Sequence, residues 1–417
     1  MSFILSLAGC GQDELSVASQ ESELRVPVDA SKELLITDLS VIEDPVRTVY
    51  RPGVRSGPEG AWSFGRLIEN MSGHIDPSAF VLHLLAQWEQ DQAINGFVAP
   101  ARPSIRKVVT DPWLVASGCV AGATTCQLDF TKAPFRLTAI VNRIDKRDGP
   151  DGRGRVTDAG EGRFVFNVVN ATGAAQNFTV ILEYALAADD TSDVLAWAYR
   201  WHFLGVVPFG PIYNNLLQRL TDRFAGRSAA PWRLNGSALN AFRTNEVTLS
   251  PAGADMTNPP STKLWEMRSF ALRADGFLHQ EAVAQTPALA FNGTPELGAW
   301  LNANAEAVLA GHHRVPAAWL DAASPTPFAL TWTAPGVTDP AVLAKFATDT
   351  CSGCHRSETG AAFIHIGKRN PGEAPVLSTW LLDTEVPRRI EDFKNVLSVR
   401  DFLFSGDTRP FRFGRAH

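Results

Sequence analysis

The segment "DTCSGCHRSETGAAFIH", Asp349 to His365, holds the residues of this chain best suited to chemistry. Cys351 and Cys354 bracket two residues, and His355 follows directly. C-x-x-C-H is the attachment pattern of c-type haem. Two thiols one turn apart can add to the two vinyl groups of haem, and the adjacent imidazole then reaches the iron as proximal ligand. The expected cofactor is therefore covalent haem c, bound through Cys351, Cys354, His355 and His365. As iron ligands, His355 is the proximal residue and His365 the local distal candidate, because the four methionines (1, 71, 256 and 267) all precede the motif. Two histidine ligands imply a lower potential than a Met/His pair. An empty sixth position would instead suit peroxide or another small ligand.

Two other readings stay open. Zinc could take Cys351, Cys354 and His365, with His355 or water as the fourth ligand, although adjacent Cys354 and His355 rarely share one zinc and no second CxxC exists. A plain Cys351–Cys354 disulfide would make the motif a staple in a haem-free binding or structural module.

The elements around the motif suit the haem reading. Asp339-Pro340 opens a short helix that runs into Cys351, and a second helix is expected around "RRIEDFKNVLSVRDFLF". Residues 338–405 thus resemble a compact cytochrome c-like unit, with a cleft lined by Leu343, Phe346, Phe363, Leu377, Trp380 and Phe393. A Pro-rich passage separates it from the body, residues 32–330. There, "FRLTAIVNRI", "RFVFNVV" and "FTVILEYAL" alternate as strands, the last two joined by a turn at Asn170–Gly173. "NEVTL" and "LWEMRSFALR" continue the sheet, with a hairpin at Ala274-Asp275-Gly276. An opening β segment is read over residues 32–50, and helices over "AFVLHLLAQWEQDQAINGF", "TSDVLAWAYRWHFL", "PIYNNLLQRLTDRFAG" and "TPELGAWLNANAEAVLAG". The fold class is α+β: a mostly antiparallel sheet flanked by helices, plus a small C-terminal helical unit.

Compartment is read from the N-terminus and the cysteines. Leu7-Ala8-Gly9 before Cys10 matches a bacterial lipobox, with Cys10 as the acylated residue, Gly11 favouring the outer membrane and residues 1–31 serving as export signal and tether. No Lys or Arg precedes the short apolar run, so the start is expected upstream. The alternative is an unmodified Cys10 in a buried strand. Cys119 and Cys126 close a Gly/Thr-rich loop and read as a disulfide, consistent with a periplasmic or outer-membrane lipoprotein. A net charge of −6 with no basic run gives no footprint for nucleic acid, and membrane contact is expected only through the lipid.

The remaining signals read as ordinary structure. Asp145, Asp148, Asp151, Asp158 and Glu161 crowd one Gly-rich loop, but without EF-hand spacing they read as a solvated hairpin loop. His312 and His313 read as an exposed helix cap, and His83 as a packed or surface residue. Trp197, Arg200, Trp201 and His202 could wall a pocket, though aromatic residues at that spacing usually form core. No GxSxG, HExxH or GxGxxG occurs.

Much of residues 34–405 also resembles an uncharacterised group of secreted bacterial proteins, often lipoproteins. The shared segments are "LLITDLSVIEDPVRT", "NGFVAPARP", "FRLTAIVNRID", "GEGRFVFNVV", "FTVILEY", "WAYRWH" and a terminal "TCSGCH…ET…F.H" unit. The resemblance implies that Cys351, Cys354, His355 and His365 act as one unit, and it brings no activity. The expected function is one-electron transfer with a redox partner protein or small donor and acceptor. Whether the chain also catalyses a reaction is left open.

Overall fold

The computed structural model describes residues 27–147, 158–249, 265–311, 313–326, 330–356, 358–361 and 363–398. Cys10, Asp148, Asp151 and His312 lie outside them.

An eight-stranded antiparallel sheet dominates. Its strands are β1 (Leu35–Ile36), β4 (Phe135–Arg143), β5 (Glu161–Val169), β6 (Ala175–Ala185), β7 (Leu239–Glu246), β8 (Trp265–Leu272), β9 (Leu278–Glu281) and β10 (Ser324–Thr326). The order runs β1-β4-β5-β6-β7-β8-β10, with β9 pairing β8. A separate hairpin joins β2 (Gln92–Ile94) to β3 (Phe97–Ala99). The expected α+β class is therefore observed, with helices flanking the sheet.

Register sorts the side chains onto two faces. Ile140, Phe164, Leu182, Phe242 and Phe270 stand opposite one another across β4 to β8. They belong to the main core, with helices α1 (Phe64–Ser72), α2 (Pro77–Ala86), α3 (Thr191–His202) and α4 (Pro211–Ala225) contributing to it. Gly162 shows how close the packing is: a Cβ there would come within 2.3 Å of the Phe224 ring on α4.

The other face carries Val141, Arg163, Glu183, Ile181, Arg243, Asn245 and Met267, and it is buried as well. The C-terminal segment covers it. That segment comprises α5 (Pro340–Asp349), α6 (Cys351–Cys354) and α7 (Val386–Leu397). Leu381, Ile366, Leu377 and Val386 pack on Leu35, Val141, Val165 and Ile181. Arg369 fastens the layer: its guanidinium donates to the carbonyls of Leu137 and Ile42 and pairs with Glu43 at 2.5 Å. The motif-bearing segment thus lies against the sheet as a second layer.

Local differences from the sequence reading have local causes. The opening strand shortens to Leu35–Ile36, because Asp29 and Asp38 each cap a short helix around it. Ile94 leaves its expected helix because Asn95 and Gly96, both at positive φ, turn the chain into the β2–β3 hairpin. The helix expected from Thr294 to Gly311 breaks at Asn304 into Pro295–Ala303 and Ala305–Leu309.

Candidate functional site

Thr350 starts the motif helix: its Oγ1 accepts from the Gly353 amide at 3.0 Å. Gly353 is required there, since a Cβ would lie 2.0 Å from the Ala347 carbonyl oxygen. The Cys351 amide donates to Thr286 Oγ1 at 3.0 Å, and Trp332 Nε1 donates to Ser352 Oγ at 3.1 Å. The motif is therefore seated from both the helix before it and the body.

Cys351 and Cys354 are not joined in a disulfide. Cys351 is buried, and burial pushes its thiol pKa up, so it rests as SH. His355 is also buried, with Nδ1 2.7 Å from the Phe363 carbonyl oxygen. That contact makes Nδ1 the protonated nitrogen and leaves Nε2 with its lone pair. Trp265 of β8 stacks on the His355 ring at 4.7 Å, and Asn245 Oδ1 accepts from the Trp265 indole. Burial pushes the His355 pKa down to about 4.

His365 lies beside His355, with ring centroids 4.7 Å apart and planes 56° apart. Its Nδ1 is 2.8 Å from Ser378 Oγ, and its Nε2 is 3.1 Å from the Cys354 carbonyl oxygen and 3.5 Å from Cys354 Sγ. Burial and the neighbouring His355 hold it well below the usual histidine range.

These residues open onto a cavity of about 110 Å³. One wall is sheet: Val141, Val165, Ile181, Asn245 and Met267. The other is the motif layer: Cys351, Cys354, His355, His365, Trp380 and Leu381. Arg143, Arg163 and Arg389 also reach it. Around Asp145 and Glu385, three guanidinium groups (Arg143, Arg388 and Arg389) meet two carboxylates. Of the expected cleft residues, only Trp380 lines the cavity; Leu343 and Phe346 pack in a separate cluster, and Phe393 joins the main core.

No family model, curated protein or solved structure matches this chain.

The other candidates fall elsewhere. Cys119 and Cys126 form a disulfide, with Cα atoms 6.2 Å apart. Asp145 pairs with Arg143 and Arg388, Glu161 pairs with Arg163, and Asp158 accepts from the Gly160 amide. Trp197 and Trp201 are core residues, and His202 bonds Glu33. Among the described residues, no group of three or more His, Cys, Asp or Glu side chains is arranged to hold a metal ion. Among the same residues, no helix is long and apolar enough to cross a membrane.

His313 corrects its expectation as an exposed cap, because it is fully enclosed beside Trp300 and Phe346. Its Nδ1 lies 3.9 Å from Asp349, itself a cavity residue. Burial pushes its pKa down to about 4, whereas an unfolded histidine protonates at about 6.5. Between those values the unfolded chain binds the proton and the folded chain does not. The destabilisation is absent above the higher value and reaches about 3 kcal/mol below the lower one. In urea titrations, His313→Leu should therefore gain on the parent by about that amount as pH falls from about 7 to about 4. A pH-independent difference would refute this.

Proposed function

We propose that this is an exported c-type haem protein that carries single electrons, with one haem attached through Cys351 and Cys354 and ligated by His355. The observation that carries the reading is His355. Its Nδ1 is fixed by the Phe363 carbonyl, the contact by which a metal-ligating histidine is oriented through its other nitrogen. Its Nε2 makes no hydrogen bond among the described residues, and the ring lines the cavity. Burial keeps the ring neutral, as a ligand must be.

The remaining residues fit the same group. Cys351 and Cys354 are separate thiols beside an apolar space, and each can add its S–H across one vinyl double bond, sulfur to one carbon and hydrogen to the other. That addition needs no oxidant, and a Cys351–Cys354 disulfide would prevent it. Arg143, Arg163 and Arg389 bring guanidinium groups to the cavity, donors of the kind that bind the carboxylates of a haem. A bound haem would supply a one-electron iron couple, exchanging electrons with a redox partner protein or a small donor and acceptor. The sheet and the C-terminal layer form the two walls of the cavity. Export and lipid anchoring are supported by Leu7-Ala8-Gly9-Cys10 and by the Cys119–Cys126 disulfide.

The test is a pyridine haemochrome spectrum and a haem stain of the denatured full-length chain, exported from cells that contain the cytochrome c maturation machinery. One covalent haem per chain is expected. Its absence from correctly exported protein would overturn the proposal.

A second reading rests on a different contact. Cys354 Sγ lies 3.5 Å from His365 Nε2, and His365 Nδ1 is 2.8 Å from Ser378 Oγ, so a thiol and an imidazole meet at the cavity. A thiol-dependent activity would use Cys354 unmodified. Native protein would then alkylate at Cys354 ahead of buried Cys351, whereas a thioether-bound chain would alkylate at neither.

A further inference from the structure

We infer that the second axial ligand comes from the sheet, as Met267 of β8, and that His365 is not an iron ligand. This rests on the haem reading above and extends it to the α+β body.

The placement of His365 is the first reason. Two imidazoles bound to opposite sides of one metal, each nitrogen about 2 Å from it, stand roughly 6 Å apart between ring centres. His355 and His365 are 4.7 Å apart and steeply tilted. They are neighbours on one wall. Both nitrogens of His365 are also engaged, Nδ1 by Ser378 and Nε2 by the Cys354 carbonyl. That arrangement makes His365 a positioning residue that pins the end of the motif helix.

The opposite wall supplies the alternative. Met267 lines the same cavity as His355, but from the sheet side. It stands two residues from Trp265 on the same strand and face, and Trp265 is the residue stacked on His355. Met267 is only 1% exposed and packs with Trp265, Cys351 and Phe363. Asn245, Thr179, Arg143 and Arg163 are the polar residues on that wall, and none is a good haem ligand: amide and hydroxyl oxygens are hard donors, and guanidinium has no lone pair to give. The neutral thioether is the soft donor that the wall presents. Met71 cannot compete, because it is buried in the main core beneath the other face of the sheet.

The haem site is thereby shared between two parts of the chain. The C-terminal layer supplies the thiols and the proximal histidine, and β8 closes the sixth position. The absence of a methionine after the motif then needs no histidine substitute. A Met/His pair also sets a higher potential than two histidines would.

The test compares the full-length haem-loaded protein with Met267→Leu, which keeps the volume and apolarity of the site, and with His365→Ala. In the parent, iron X-ray absorption should reveal a sulfur ligand, and the ferric spectrum should contain the sulfur-to-iron charge-transfer band. Met267→Leu should keep its covalent haem, lose that band, fall in potential and gain carbon monoxide binding in the reduced state. His365→Ala should keep the band. A haem-bearing parent without iron–sulfur ligation would overturn the inference, however the variants behave. So would a Met267→Leu spectrum identical to that of the parent. A parent with no covalent haem would instead overturn the proposed function, and this ligand with it.

Discussion

Glu183→Ala should destabilise the protein by about 3–5 kcal/mol, the size expected when one partner of a buried ion pair is removed. Glu183 is fully buried on β6, directly across from Arg163 on β5. Its two oxygens lie 3.2 Å from Arg163 Nη1 and 2.9 Å from Arg243 Nε. Both guanidinium groups are buried too, and Arg163 shares a second carboxylate, Glu161, at 2.5 Å. Removing Glu183 leaves two buried cations facing each other without the anion between them. Urea denaturation should record the loss as a lower midpoint with little change in slope. Glu183→Gln should recover less than half of it, because the amide fills the space but leaves the charges uncompensated. A Glu183→Ala loss below about 1 kcal/mol would mean that the pairing does not hold the sheet.

Cys351→Ala/Cys354→Ala should abolish covalent haem while leaving a folded chain. Cys351 behaves as a small buried apolar group, so alanine costs about 1–2 kcal/mol there, and half-buried Cys354 should matter less. His355→Ala should act differently. It leaves both thiols in place but removes the ligand and the ring stacked on Trp265. Some haem should still attach, in a high-spin form and at reduced yield. A haem stain, with the ferric spectrum of any product, separates the two variants. Unchanged haem content in the double cysteine variant would exclude thioether attachment at the motif.

The sequence made the sheet legible where alternation is strong. The strands around Phe135–Val141, Phe164–Val168 and Phe178–Leu182 and the Asp275-Gly276 hairpin stand where the pattern puts them. The small disulfide loop was equally readable. The polar side of the same strands was not. Glu161 reads as part of a solvated loop, and alternation alone assigns no partner to Arg163, Glu183 or Arg243, although charged residues are rarely buried unless paired. Here they are paired across register, and only the folded sheet brings the partners together.

The site divides along the same line. Cys351, Cys354 and His355 were legible because the chemistry depends on spacing within five residues. The opposite wall was not, because Val141, Ile181 and Met267 lie far from the motif in sequence, and periodicity reports only local geometry. The cleft was accordingly sought among Leu343, Phe346 and Phe393, which pack elsewhere. His365 is a distal candidate by sequence proximity, and no local pattern points to Met267. Two signals were readable but passed over: the Asp-x-Ser caps at Asp29 and Asp38, and the Asn95-Gly96 turn.

Peptide mass spectrometry of the exported, lipid-extracted chain decides whether Cys351 and Cys354 are joined to haem. After alkylation under denaturing, reducing conditions, the peptide spanning Cys351 to His355 should carry the added mass of one haem, with neither cysteine alkylated. A haem-free peptide carrying two alkyl groups would exclude thioether attachment. The same peptide alkylated only after reduction would identify a disulfide staple instead.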